Sequence, residues 1–173
     1  MGKNDFPVWR TVRIGTGLKN PSDFRVALGE KGCKVCYWGE LLLDSPDFSV
    51  SETPMELELV VVNPKKIDKK FDRGVSITDY FKRVQEIGLE LCPVEVGPQL
   101  LLQHSDKIEY WLHVGMQPII IGGERKPGVF LLNGGTKSHN PEISASCGCP
   151  RYKGDPREHW VVGFAWAFVK PRK

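Results

Sequence analysis

The chain has 173 residues, of which 40% are hydrophobic and 26% charged. That length and balance describe one globular domain with a core of its own and exclude a disordered chain, a collagen repeat and a coiled-coil rod. The net charge of +3, from 24 basic and 21 acidic residues, is too even to mark a nucleic-acid-binding surface by itself.

The first predicted element is a strand over residues 8–14, which runs into the turn signal Gly15-Thr16-Gly17. A helix start follows. Asn20 can cap, Pro21 suits the first helical position, and Asp23 lies near the positive end of the helix dipole. Phe24, Ala27 and Leu28 fall on one face of that helix, and Gly32 supplies its stop. A shorter helix is predicted over 38–43, closed by Ser45-Pro46. Strand chemistry comes next. Phe48 and Val50 alternate with serines, then Leu57, Leu59 and Val61 alternate with Glu56, Glu58 and Val60, the period-two pattern of a half-exposed strand. Residues 63–74 read as a polar loop. The best-formed helix starts at Ser76, with Asp79 completing a capping-box pattern; Ile77, Tyr80, Phe81, Val84 and Ile87 make its apolar stripe, and Gly88 ends it.

From Leu89 onward the patterns predict strands only, at 99–103, 109–115, 118–121, 129–132 and 159–169. In the last of these, Trp160, Val162, Phe164, Trp166 and Phe168 make a large aromatic face, opposite the small face of Val161, Gly163, Ala165, Ala167 and Val169. A strand with no polar face belongs in the middle of a sheet, with room for a helix on its small side. The expected fold class is α+β. In the expected architecture, an antiparallel meander in the C-terminal half packs on two or three helices from the N-terminal half, as a single domain over 1–173 with a long loop at 133–158. The longest apolar run, 161–169, is about half a bilayer span, so no membrane partner is expected. The first five residues carry no apolar signal-peptide core, and five cysteines, an odd number, fit a reducing cytoplasm.

Four of those cysteines form two close pairs, Cys33 with Cys36 and Cys147 with Cys149. Two thiol pairs from distant parts of a chain are how a tetrahedral structural zinc site is assembled, and such an ion would hold down the 133–158 loop. His139 and His159 flank the second pair and can replace one thiolate. Cys36 also fits a small buried apolar position, and no thioredoxin-like pattern surrounds the C-x-x-C pair. Gly15-Thr16-Gly17 is partly like a dinucleotide-binding turn but has Asn20 in place of the third glycine; Gly134-Gly135-Thr136-Lys137-Ser138 lacks phosphate-loop spacing. Lys65, Lys66, Lys69, Lys70 and Arg73 are a candidate nucleic-acid contact, or simply a solvated loop. Glu95 lies between Pro93 and Pro98 in apolar surroundings; with Cys92 or His113 it makes a candidate catalytic set, and alternatively it binds backbone amides of a loop.

The run Gly88-Leu89-Glu90-Leu91-Cys92-Pro93-Val94-Glu95-Val96-Gly97-Pro98, with Val12-Arg13-Ile14-Gly15-Thr16-Gly17-Leu18-Lys19 before it, resembles the signature of an uncharacterised bacterial family of small proteins. Tyr110-Trp111-Leu112, Met116-Gln117-Pro118-Ile119 and Phe168-Val169 match more loosely. The resemblance implies a bacterial origin and a shared fold; the family has no established activity, so it implies nothing about function. Cys33 and Cys36 depart from its pattern, which has an apolar residue and a glycine there, and so does the segment around Cys147 and Cys149. Three readings of function follow in order: a small soluble binding or interaction module; a zinc-stabilised domain with a structural site of the four-cysteine type, for which nucleic acid is a candidate partner; and a hydrolase-like enzyme using Glu95 with Cys92 or His113.

Overall fold

Asn20 does cap a helix. Its extended backbone (φ −153°) lets the side chain accept the Asp23 N–H, and Pro21 occupies the first turn of α1 (Pro21–Glu30), where no backbone donor is needed. We analysed a computed structural model of the chain, in which residues 6–68, 71, 76–121, 126–147 and 164–171 are described. Before α1 runs strand β1 (Arg10–Ile14); after it come β2 (Lys34–Val35), α2 (Tyr37–Leu43), β3 (Met55–Val62) and the one-turn helix α3 (Pro64–Ile67). Then follow α4 (Ile77–Glu86), α5 (Val96–His104), β4 (Leu112–Val114), β5 (Ile119–Ile121), β6 (Lys126–Asn133), β7 (Glu142–Cys147) and β8 (Ala165–Val169). The fold is α+β.

One eight-stranded sheet runs in the order β1-β3-β8-β4-β6-β7-β2, with β5 attached to β6. It is mixed, not the expected antiparallel meander: β4 pairs with β8 in parallel and β2 with β7 in parallel, whereas β3 is antiparallel to both of its neighbours, β1 and β8. The reason is the apolar character of β8. It takes the central position its sequence demands, and the neighbours that bury it, β3 and β4, come from far along the chain. Helix α4, however, lies on the aromatic face rather than the small one. Tyr80 and Phe81 meet Trp166 and Phe168 at ring distances of 5.3 to 6.0 Å, mostly edge to face. On the opposite face Phe24 of α1 packs on Phe48, and Phe48 packs on Phe130 of β6. Helix α5 comes so close there that a Cβ on Gly97 would stand 2.4 Å from the Phe130 ring.

Other expectations also need correction. Residues 99–103 are helical, within α5, because five residues of mixed polarity do not separate a helical period from a strand one. Pro98 is tolerated since it lies in the first turn, whose N–H groups have no helical acceptor. Phe48 and Val50 are not in a strand; Phe48 is drawn into the aromatic contacts just described. The loop expected at 63–74 contains α3, capped by the Asn63 side chain accepting the Lys65 N–H. The loop expected at 133–158 contains β7, which pairs with β6 from Gly128↔Cys147 to Asn133↔Glu142. The small residues Ser144, Ala145 and Ser146 hide a strand from pattern reading; residues 148–158 of that loop lie outside the described residues. Among the described residues no helix is long and apolar enough to cross a membrane.

Candidate functional site

An edge strand presents a row of unpaired N–H and C=O groups, and β1 is the edge of this sheet. Helix α5 takes up those groups with side chains spaced four residues apart. Glu95, 1% exposed, accepts the Gly15 N–H on Oε1 at 2.9 Å and the Ser51 N–H on Oε2 at 2.8 Å. Gln99 Nε2 donates to the same Glu95 Oε1 at 2.9 Å and to Thr16 Oγ1 at 2.6 Å. Gln103 Nε2 donates to Gln99 Oε1 at 2.9 Å and to the Arg13 carbonyl at 2.7 Å, while its Oε1 accepts the Arg13 N–H at 2.9 Å. His104 Nε2 lies 2.8 Å from the Thr11 carbonyl and completes the row.

Two chain segments are thereby tied to one buried carboxylate. The β1–α1 turn and the segment around Ser51 stand as the walls of an open groove of about 1180 Å³, with Thr16, Leu18, Lys19, Val50, Glu52 and Met55 among its lining. Close approach of the walls explains Gly15: its φ is +66°, and a Cβ there would stand 2.3 Å from the Thr53 carbonyl oxygen. Arg13 and Glu56 pair at 2.8 Å along the rim, in solvent, where such a pair contributes little stability. The N-terminus of α1 is no phosphate site. Asp23 Oδ2 accepts the Lys19 N–H at 2.7 Å and Asn20 Oδ1 the Asp23 N–H at 3.1 Å, so side chains of α1 and its cap occupy those donors and add a negative charge. The anion held by the Gly15-Thr16-Gly17 turn is Glu95.

The candidate catalytic residues are not brought together. Glu95 lies under the β1–α1 turn with all of its hydrogen bonds directed at loop donors and Gln99. Cys92 is buried, donates its thiol to the Ala167 carbonyl at 3.5 Å, and has its pKa pushed far up by burial. His113, on central strand β4, stacks on Trp166 with ring centres 4.4 Å apart and planes 10° apart. Burial holds its pKa down at about 3, so the ring is neutral, and its Nδ1 has no hydrogen-bond partner among the described residues. Neither Cys92 nor His113 lines the groove above Glu95.

Cys33 and Cys36 flank β2. Cys33 is a core residue whose thiol is pushed up by burial. Cys36 anchors the start of α2 by donating its N–H to the Ile143 carbonyl at 2.9 Å. Burial, then the hydrogen bond and charge of Glu142, raise its pKa to about 11. Both shifts favour the protonated thiol in the metal-free chain. Cys147 ends β7 opposite Gly128. Four residues separate it from Ile143, about 13 Å along a strand, against a zinc–sulfur bond of about 2.3 Å. The Cys147 side chain, Cys149 and His159 lie outside the described residues. His139 sits in the turn pairing Thr136 with His139, its Nδ1 3.0 Å from Ser138 Oγ. Among the described residues no three His, Cys, Asp or Glu side chains are grouped to hold a metal ion. Lys65 and Lys66 are exposed on α3; Lys69, Lys70 and Arg73 lie outside the described residues.

Sequence reasoning singled out Glu95 but missed Gln99, Gln103 and Ser51. The signal for the first two was the four-residue spacing from Glu95, which places all three side chains on one face of a helix. Comparison of the chain with family models, with curated proteins and with solved structures finds no match in any of the three.

Proposed function

We propose that this chain is a small binding module, not a catalyst, and that its ligand occupies the groove between residues 15–19 and 50–56. One observation carries the reading: the buried Glu95 carboxylate accepts from Gly15 on one wall and Ser51 on the other, which fixes their separation before any ligand arrives. A groove ordered in advance loses little entropy on binding, which is what a recognition surface needs. Its lining mixes apolar side chains, Val50, Leu18 and Met55, with Lys19, Glu52 and Thr16. That mixture suits a small ligand carrying both polar and apolar groups. The odd number of cysteines supports a reducing compartment such as the cytoplasm as its setting.

The test is a fragment library of neutral, anionic and cationic small molecules, screened by amide chemical shifts of the ¹⁵N-labelled protein. Binding fragments are expected to move the amides of Thr16, Leu18, Lys19, Ser51 and Glu52. Shifts confined to other surfaces, or a library with no binder at millimolar concentration, would overturn the reading.

A further inference from the structure

The edge of the sheet at β5 is built differently from the edge at β1. Strand β5 pairs only with β6, through Ile119↔Gly128, Ile120↔Pro127 and Ile121↔Lys126. Pro127 has no N–H, so Ile120 and Pro127 form the pair that exchanges no hydrogen bonds, and the flanking pairs carry the ladder. The N–H and C=O of Ile120 therefore point away from β6, along the outer edge. At β1, by contrast, the Thr11 carbonyl, the Arg13 N–H and carbonyl and the Gly15 N–H are engaged by the side chains of His104, Gln103 and Glu95. Among the described residues nothing engages the outward N–H and C=O of Ile120.

Beside that edge lies a pocket of about 450 Å³ between β5 and α4, floored by Ile77, Phe81, Leu91 and Pro118 and bordered by Lys82. Ile120 also lines it and is 52% exposed. In an antiparallel pair the side chains of opposed residues lie on the same face of the sheet. A residue opposite Ile120 on an added strand would thus project its side chain to the side Ile120 occupies, which is the side of the α4 pocket. Residues two positions before and after it share that face, about 7 Å away. Lys82 is exposed, and no ion pair among the described residues involves it.

We infer that the β5 edge is a docking site for an extended peptide segment of a partner protein, which adds as an antiparallel strand at Ile120, places one apolar side chain in the pocket beside Phe81, and presents a carboxylate two residues away to Lys82. Backbone hydrogen bonds hold the segment, while the pocket and the cation select it, as in other cases of strand addition. This surface is separate from the groove above Glu95: the two share no lining residue.

The probe is the synthetic peptide Thr-Glu-Thr-Leu-Thr-Glu-Thr, in which leucine and both glutamates share one face, compared with the same peptide carrying lysine at both glutamate positions. Fluorescence anisotropy of labelled peptides and amide shifts of the ¹⁵N-labelled protein report binding. The acidic peptide is expected to bind at least tenfold more tightly than the basic one and to move the amides of Ile119, Ile120, Phe81 and Lys82. Lys82→Glu should reverse that preference. Ile120→Pro removes the outward N–H and trims one side chain from the pocket lining, breaks no β5–β6 hydrogen bond, lies where an edge strand tolerates proline, and should abolish binding with the thermal midpoint retained. If Ile120→Pro does not fold, the acidic peptide N-methylated at its leucine should fail to bind the unaltered protein. Equal affinity for the two peptides, undiminished binding by folded Ile120→Pro or of the N-methylated peptide, or no binding at millimolar concentration would each overturn the inference.

Discussion

Glutamine at position 95 keeps the length and shape of the side chain and replaces one carboxylate oxygen with an NH₂. In the native protein three N–H donors converge on this carboxylate, from Gly15, Ser51 and Gln99, at 2.8 to 2.9 Å. A single amide oxygen can still serve Gly15 and Gln99. The amide nitrogen then faces the Ser51 N–H, donor against donor. The Glu95→Gln variant loses one charge-assisted bond, leaves a partly buried donor unpaired and weakens the two remaining bonds by removing the charge. These effects together amount to about 2–4 kcal/mol. For a chain of this length that corresponds to a fall of about 4–16 °C in the thermal midpoint. Urea unfolding followed by tryptophan fluorescence measures it, since Trp166 is wholly buried, and the dependence on urea should keep its slope. Glu95→Leu, which satisfies none of the three donors, should cost at least as much. A Glu95→Gln variant within about 0.5 kcal/mol of the parent, the range of ordinary surface substitutions, would refute the claim that Glu95 holds the groove walls together.

Two further outcomes follow from the same structure. His113 is neutral in the fold because burial lowers its pKa to about 3, whereas the unfolded chain takes up that proton near 6.5. Between those values the unfolded state binds more protons, so His113 lowers stability by up to about 1.4 kcal/mol per pH unit as pH falls, and it has no effect above that window. Urea titrations at pH 7 and pH 4.5 should show His113→Phe, which keeps a ring on Trp166, losing less stability on acidification than the parent; equal losses would contradict the burial argument. At the β1–α1 turn both Gly15 and Gly17 have positive φ, but only Gly15 has backbone within 2.3 Å of a would-be Cβ, while Gly17 faces open space. Alanine at 17 should therefore cost about 1 kcal/mol and alanine at 15 at least twice that, with loss of ligand shifts in the groove for the latter alone; equal costs would count against the close approach of Thr53.

Local signals in the sequence were reliable where the cause of structure is local. The Asn20-Pro21 start of α1 and the apolar stripe of α4 each act within a few residues, through capping, dipole and one-sided burial, and each stands in the fold. β3 is a strand as expected, but its burial does not alternate: the neighbours Leu59 and Val60, on opposite faces, are both buried, because the sheet is covered on both sides there. Helix α5 was illegible because its polar row belongs to no amphipathic surface helix; Val96, Gly97, Pro98, Gln99, Leu100 and Leu101 are all buried, and the row faces a strand edge instead of water. The role of Glu95 was legible only as one of two alternatives, since its donors lie 80 and 44 residues away in the chain. Hydrogen bonds over such separations leave no periodic trace.

By itself the sequence determined the α+β class and the central place of the last strand, because both depend on how each segment distributes its own apolar surface. Tertiary structure alone decided that the sheet is mixed and that β8 lies between β3 and β4. It also decided that Glu95, Cys92 and His113 lie in separate surroundings. Burial demands that a strand have neighbours but does not name them; which segments supply them, and which side chains then meet, depends on how the whole chain closes around one core.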